Sequence, residues 1–321
     1  MNKILIIQTA SLGDVILATP LAEKLHQHFP EAKIDLLVKK GNESLFDRHP
    51  FLNRLHTWNK QRRKYLSLLR LASLIRKEKY DLIVNCQRFS STGFLTAFSG
   101  AGMKIGFDKN PFSPFFTKRV AHRIGTGVHE AERNLELVRD ITDDRFIPPR
   151  LYPPEPAAGP ETFYTISPAS LWFTKQFPKE RWVELIRSIP PGPAVYLLGS
   201  KSDAGLCEWI IRESGRPAVT SLAGKLTLLE SASLMKRARM NFSNDSAPLH
   251  LASAVDAPVT VIYCSTVPDF GFGPLSSDSC IIETEESLRC RPCNLHGMKV
   301  CPESHFRCAT GIPMDKLRAR L

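Results

Sequence analysis

The 321-residue sequence has no run approaching the roughly 20 apolar residues that span a bilayer. Its N-terminus enters a strand pattern with no signal peptide ahead of it, so a cytoplasmic protein is expected. Aromatic residues make up only 9% of the chain, and no basic segment is interleaved with stacking rings, which argues against nucleic acid as the partner. Acidic residues are in deficit: 32 Asp and Glu face 43 Lys and Arg, a formal charge of +11. That excess points to an anionic partner, such as a phosphorylated metabolite or an anionic lipid surface. Low-complexity tracts and short repeats are lacking too. The eight cysteines are expected as thiols, because a cytoplasmic setting keeps them reduced.

What is present is alternation. Lys3 to Gln8 is a continuous apolar run of the kind a parallel strand buried on both faces requires. Asp14 to Phe29 then carries apolar positions at helical spacing, and Pro20 predicts a kink or break within it. The pattern continues with a strand over Lys33 to Val38, helices over Asn42 to Arg48 and Arg62 to Lys79, a strand over Asp81 to Asn85 and a short strand near Lys104 to Phe107. Between Ile147 and Pro160 the sequence carries six prolines, too many for a helix or a central strand. Beyond them the alternation resumes, with strands over Thr162 to Ser167, Ala194 to Leu198, Met240 to Ser243 and Val259 to Tyr263. Helices are expected over Lys179 to Ser188, Asp203 to Glu213, Thr227 to Arg237 and Pro248 to Val255. The expected fold class is α/β, with two Rossmann-like doubly wound domains facing a central cleft: residues 1–150, a proline-rich linker 151–160, and residues 161–321.

Three turns fall where open α/β sheets bind ligands, at the carboxyl ends of strands. The first is Ala10-Ser11-Leu12-Gly13-Asp14. Gly13 lacks the companion glycines of a dinucleotide fingerprint, which removes most support for a dehydrogenase. Asp14 either caps a helix or serves as a base facing the cleft. The second turn, Ser167 to Pro178, offers Lys175 as a phosphate neutraliser or a solvated surface charge. In the third, Asn244 to His250, Pro248 suits a first helical turn, whose free amides and positive dipole suit a diphosphate. There Asp245 and His250 can orient ligand hydroxyls, against the alternative that Asp245 or Ser246 is a simple cap.

Taken in order, these segments resemble glycosyltransferase family 9, which includes the ADP-heptose:lipopolysaccharide heptosyltransferases. The resemblance rests on Ser11-Leu12-Gly13-Asp14-Val15 with Thr19-Pro20, on Pro168-Ala169-Ser170 with Thr174-Lys175 and Arg181-Trp182, and on Asp245-Ser246 with His250-Leu251-Ala252. It implies a GT-B fold and inverting transfer, with the C-terminal half holding a nucleotide-sugar and the N-terminal half holding the acceptor. On this resemblance Asp14 is the catalytic base. Ser170, Thr174, Lys175, Asp245, Ser246 and His250 bind the donor, and Ser11, Gly13, Lys60, Arg62, Arg63 and Lys64 bind the acceptor. The implied reaction moves heptose from ADP-heptose to the anionic inner core of lipopolysaccharide, at the inner face of the cytoplasmic membrane and with peripheral contact to it. No Asp-x-Asp metal motif is present, so the chemistry is expected to need no cofactor beyond the ADP-sugar co-substrate. Ala247 stands where the family usually has glycine, and a glycine is missing before Ala169. Both positions bear on how closely the backbone approaches the donor.

The basic run from Lys60 to Lys64 opens a predicted helix, where the helix dipole disfavours positive charge unless an anionic acceptor compensates; the alternative is a solvated cluster. Cys290, Cys293, Cys301 and Cys308 resemble a structural zinc site in number and first spacing, with His296 and His305 as competing ligands or, alternatively, a cysteine-rich surface loop. Two rivals stay open: a family 9 transferase using another nucleotide-sugar for a different surface glycan, and a zinc-stabilised nucleic-acid-binding protein.

Overall fold

A computed structural model of the chain describes residues 1–60, 64–155 and 160–321. The chain divides into two compact units, Met1–Tyr152 and Pro153–Leu321, each with its own parallel sheet.

In the first unit the strands are β1 (Lys3–Gln8), β2 (Lys33–Lys39), β3 (Leu52–Trp58), β4 (Leu82–Asn85), β5 (Met103–Phe107) and β6 (Lys118–Val120). They lie in the order β3-β2-β1-β4-β5-β6, all parallel, with Lys3 opposite Lys33 and Ile4 opposite Leu82. Ile4 to Ile7 are fully buried, as a strand covered on both faces demands. The helices are α1 (Leu12–Ile16), α2 (Thr19–His28), α3 (Lys64–Glu78), α4 (Ser90–Ala97) and α5 (Glu130–Glu136). Pro20 falls in the first turn of α2, where its missing N–H costs nothing. The break expected within Asp14 to Phe29 is present, and the segment forms two helices. The expected helix over Asn42 to Arg48 shrinks to a 3-10 turn, Glu43–Phe46.

The second unit contains β7 (Phe163–Ser167), β8 (Ala194–Leu197), β9 (Val219–Ser221), β10 (Met240–Asn244), β11 (Val259–Tyr263) and β12 (Ser279–Glu283), in the order β12-β11-β10-β7-β8-β9. This is the first unit's strand order repeated, with Met240 opposite Tyr164 at its centre. Its helices are α6 (Lys179–Ser188), α7 (Ala204–Ser214), α8 (Leu228–Arg237), α9 (Ala247–Ala254), α10 (Arg307–Thr310) and α11 (Met314–Arg318). α6 buries Trp182, Val183, Leu185 and Ile186 on one face, each contributing about 1.5–3 kcal/mol of burial free energy. α8 starts at Thr227, whose hydroxyl accepts from Glu230 N at 3.2 Å while Glu230 accepts from Thr227 N at 2.7 Å. Gly215 ends α7 in the left-handed conformation.

In both sheets the order reverses at the centre, between β1 and β4 and between β7 and β10. Loops leaving the carboxyl ends of such strands diverge to opposite faces and leave a crevice.

Candidate active site

In the first unit the loop after β1 carries Asp14 on α1. Its Oδ2 accepts from Ser11 N at 3.1 Å and from the Ser11 hydroxyl, so this carboxylate is held against the helix start and is half-buried. Gly13 is buried beside it and Ser11 is exposed. Lys60 Nζ reaches the same loop, donating to Thr9 O at 2.7 Å and lying 5.0 Å from the Trp58 ring centre. Arg62 and Arg63 lie outside the described residues, as does the side chain of Lys64.

A polar network beneath this loop was not anticipated from sequence. Thr9 donates to Gln87 Oε1 at 2.7 Å, Gln87 Nε2 donates to Gln8 Oε1 at 2.7 Å, and Asn110 Nδ2 donates to Gln87 O at 2.8 Å. These buried groups stitch β1 to β4 at the reversal point. Behind them α5 is tied to α1 by Asn134 Nδ2, which donates to Leu17 O at 3.1 Å. At its start Glu130 pairs with Arg133 Nε at 2.7 Å. Burial pushes the Glu130 carboxyl up, but His122 and Arg133 more than offset it and hold the group below the usual range. The only trace of this network in the sequence is polar residues placed directly after apolar strands.

In the second unit the loops after β7 and β10 converge. Lys175 Nζ stands 2.6 Å from Asp245 Oδ2, and Thr266 Oγ1 donates to the same oxygen at 2.6 Å. Asn244 organises both loops: its Oδ1 accepts from Phe177 N at 2.9 Å and its Nδ2 donates to Pro168 O at 2.9 Å. Ser170 lies on the same loop, where its carbonyl accepts from Gln176 Nε2 at 2.7 Å. Ser246 is the N-cap of α9, with Pro248 in the first turn, so the amides of that turn open next to the Lys175–Asp245 pair. His250 is buried one turn further along. Burial, with the nearby Asp245 and Glu283 charges, raises Tyr263 far above its ordinary range and keeps the phenol neutral.

Thr174 looks the other way. Its hydroxyl accepts from Ser265 Oγ at 2.9 Å and from Met298 N at 2.8 Å, which makes it a buried strut rather than a ligand-facing group. Met298 belongs to the cysteine-rich segment, which is clamped onto the loop after β7. Arg291 donates to the carbonyls of Cys264 at 2.7 Å, Thr266 at 2.8 Å and Tyr263 at 3.3 Å, and pairs with Glu283 at 2.6 Å. Gly297, at φ +85°, packs so closely that a Cβ there would stand 2.8 Å from Lys175 Cγ. This buttress was also missed from sequence.

All eight cysteines are free thiols, and among the described residues no three His, Cys, Asp or Glu side chains are arranged to hold a metal ion. Cys308 is buried with the hydrophobic core on α10, Cys290, Cys293 and Cys301 are half-buried, and Cys290 Sγ stands 3.8 Å from His305 Nε2. Among the described residues no helix is long and apolar enough to cross a membrane.

The chain matches the model of glycosyltransferase family 9 (heptosyltransferase) over residues 68–299. It is 27% identical over 275 residues to lipopolysaccharide heptosyltransferase 3 of Escherichia coli, an alignment covering 79% of this chain and 81% of that protein. Among solved structures it resembles the family 9 glycosyl transferase of Veillonella parvula, with TM-score 0.80, 20% identity, and 100% and 98% of the two chains covered. It also resembles the E. coli ADP-heptose lps heptosyltransferase II, with TM-score 0.77, 19% identity and 99% of each chain covered. These likenesses bear out the doubly wound α/β expectation and the GT-B fold class.

Proposed function

The chain belongs to glycosyltransferase family 9 and is a glycosyl-transfer enzyme, and from that premise we propose that it moves heptose from ADP-heptose to the inner core of lipopolysaccharide with inversion at the anomeric carbon. Asp14 takes the proton from the acceptor hydroxyl as its oxygen bonds to the anomeric carbon, and the bond from that carbon to the diphosphate breaks in the same displacement. ADP leaves with the electron pair. It needs electrostatic support more than a proton, and Lys175 together with the first-turn amides of α9 supplies it. Asp245 and His250 orient donor hydroxyls, and Ser170 and Ser246 border the same loops. Ser11, Gly13, Lys60 and the basic residues Arg62, Arg63 and Lys64 receive the anionic acceptor at the inner face of the cytoplasmic membrane.

The single observation that carries the reading is the Lys175 ammonium held by Asp245 at the start of α9, where it and the open first-turn amides are the positive groups that a departing diphosphate requires. Support for the sugar comes from the relatives, whose names specify heptose. Ala247 heads α9 where the family usually has glycine, and this favours a second reading in which another nucleotide-sugar is the donor.

The test is transfer of labelled sugar to a lipopolysaccharide precursor lacking heptose, across a panel of ADP-, GDP- and UDP-sugars. Incorporation from ADP-heptose alone is expected. Incorporation from a different donor would select the second reading, and none from any donor would sink both.

A further inference from the structure

Between the end of β12 at Glu283 and the start of α10 at Arg307 the described chain forms no helix or strand, so side-chain contacts hold the shape of this segment. Burial sorts the thiols on it and on α10. Cys308 is enclosed in the core of the second unit, whereas Cys290, Cys293 and Cys301 are half-buried. Cys290 also lines an open cavity of about 400 Å³, with Arg289, Glu303, His305 and Arg307 around it.

One contact in this cavity is chemically directed. Arg307 N donates to His305 Nδ1 at 3.0 Å, so the neutral ring carries its proton on Nε2. Nε2 is the atom 3.8 Å from Cys290 Sγ, and an N–H facing sulfur is the support that a thiolate nucleophile needs. Arg307 is paired with Glu286, while Arg289 and Glu303 are exposed on the cavity wall and offer one charge of each sign. Such a wall suits a zwitterion. Cys290-Arg291-Pro292-Cys293 has the Cys-x-x-Cys spacing of thiol pairs that close on each other. Burial, and after it the neighbouring Cys290 and Cys301, push the Cys293 thiol up and keep it protonated.

We propose that Cys290 and Cys293 form a site of thiol–disulfide exchange, whose substrate is a small zwitterionic disulfide held in this cavity. The Cys290 thiolate bonds to one sulfur of that molecule, its S–S bond breaks, and the departing thiolate takes up the proton that Cys290 gave. Cys293 then bonds to the Cys290 sulfur and expels the second half, which leaves as a thiol with the proton from Cys293. Two protein thiols are oxidised to one disulfide, and one small disulfide is reduced to two thiols.

The bond acts beyond the pair. Arg291 lies inside the ring it closes, and the Arg291 guanidinium holds the carbonyls of Tyr263, Cys264 and Thr266. Thr266 in turn donates to Asp245, and Cys293 N donates to Ser265 O at 3.1 Å. To bond Cys293, Cys290 must leave His305, and the backbone that aims Arg291 moves with it. Oxidation therefore loosens the loop after β11 beside the Lys175–Asp245 pair. Only the consequence for nucleotide binding rests on the proposed function; the exchange itself does not.

The test treats the full chain with glutathione disulfide and maps the products by mass spectrometry. Wild-type protein should lose the Cys290 and Cys293 thiols together and gain a bond between them. Cys293→Ser should stop at one glutathione on Cys290, and Cys290→Ser should leave Cys293 unmodified. His305→Ala should slow the first step at least about fivefold. In the oxidised wild type, proteases should cut between Glu283 and Arg307 faster. Its Kd for ADP should rise at least about threefold, the effect of one net hydrogen bond lost, and dithiothreitol should reverse both changes. Untouched thiols, a bond to Cys301 instead, an unchanged rate in His305→Ala, or thiols shielded by a metal ion until a chelator is added would overturn the inference. Unchanged proteolysis of the oxidised chain would overturn its effect on the loop. Absence of ADP binding from reduced and oxidised protein alike, with the bond formed, would sink the proposed function and leave the exchange site standing.

Discussion

Lys175 Nζ and Asp245 Oδ2 lie 2.6 Å apart and join the loop after β7 to the loop after β10, where the strand order of the second sheet reverses. Both side chains are largely buried, so the pair is weak evidence for stability, because desolvation offsets most of its attraction. What it does is aim. The ammonium is fixed beside the first turn of α9 rather than sampling solvent.

Replacing Lys175 with Ala should therefore lower kcat/KM by roughly 10²–10³-fold, the usual effect of deleting one electrostatic contact to a developing anion. It should also destabilise the second unit by about 3 kcal/mol, because Asp245 is left buried and charged with Thr266 as its remaining hydroxyl donor. Lys175→Arg should restore part of both losses. Steady-state kinetics and urea titration read the two effects separately, and unchanged kcat/KM would remove Lys175 from the leaving-group role.

Asp14→Asn should leave donor affinity intact and cut turnover at least about 10²-fold. The asparagine oxygen can still accept from Ser11 N, so the start of α1 should survive with a loss under about 1 kcal/mol. Calorimetric nucleotide binding beside a turnover assay separates chemistry from folding. Full activity in this variant would reduce Asp14 to a helix cap.

Arg291→Met removes donors from three backbone carbonyls and from Glu283. A loss of roughly 2–4 kcal/mol is expected, because these acceptors are part-buried and lose a charged partner. Limited proteolysis should then cut the segment between Glu283 and Arg307 faster, and donor KM should rise more than kcat falls. Wild-type proteolysis with wild-type KM would show that Arg291 does not brace the donor loop.

His49 supplies a pH dependence to the first unit. Its ring meets Phe51 at 4.6 Å and Tyr152 at 4.8 Å, and burial, with His26 nearby, pushes its pKa from 6.5 down to about 4. A histidine depressed in the folded state binds its proton more readily when unfolded. The stabilisation is therefore complete above pH 6.5 and is lost as pH falls from there towards 4. The loss should reach at most about 3 kcal/mol, at about 1.4 kcal/mol per pKa unit. His49→Phe should flatten the stability profile over this window; a wild-type slope in the variant would place the titration elsewhere.

How far the sequence could be read depended on whether local pattern or distant packing set each element. β1 and β11 were legible to the residue, since strands buried on both faces need unbroken apolar runs. β3 was missed because it lies at the sheet edge with a mixed exposure pattern, Leu52 to Trp58 reading as neither strand nor helix. α4 was missed because Ser90-Ser91-Thr92-Gly93 are poor helix formers; it is held by packing, with Gly93 too close to Asn110 for a Cβ. As candidates, Asp14, Lys175 and Asp245 were nameable from their positions after strands. Their partners were not: Thr266, Asn244, Gln87 and Arg291 act through contacts that only the fold creates, and spacing alone could not tell that Cys308 faces the core.

The tight seat of Gly297 against Lys175 and Trp172 bears on inheritance. Drift at position 297 is frozen by two constraints at once, its left-handed backbone and the lysine stem beneath it. The cysteine-rich segment cannot diversify independently of the loop after β7, and lineages that change one are expected to carry a compensating change in the other.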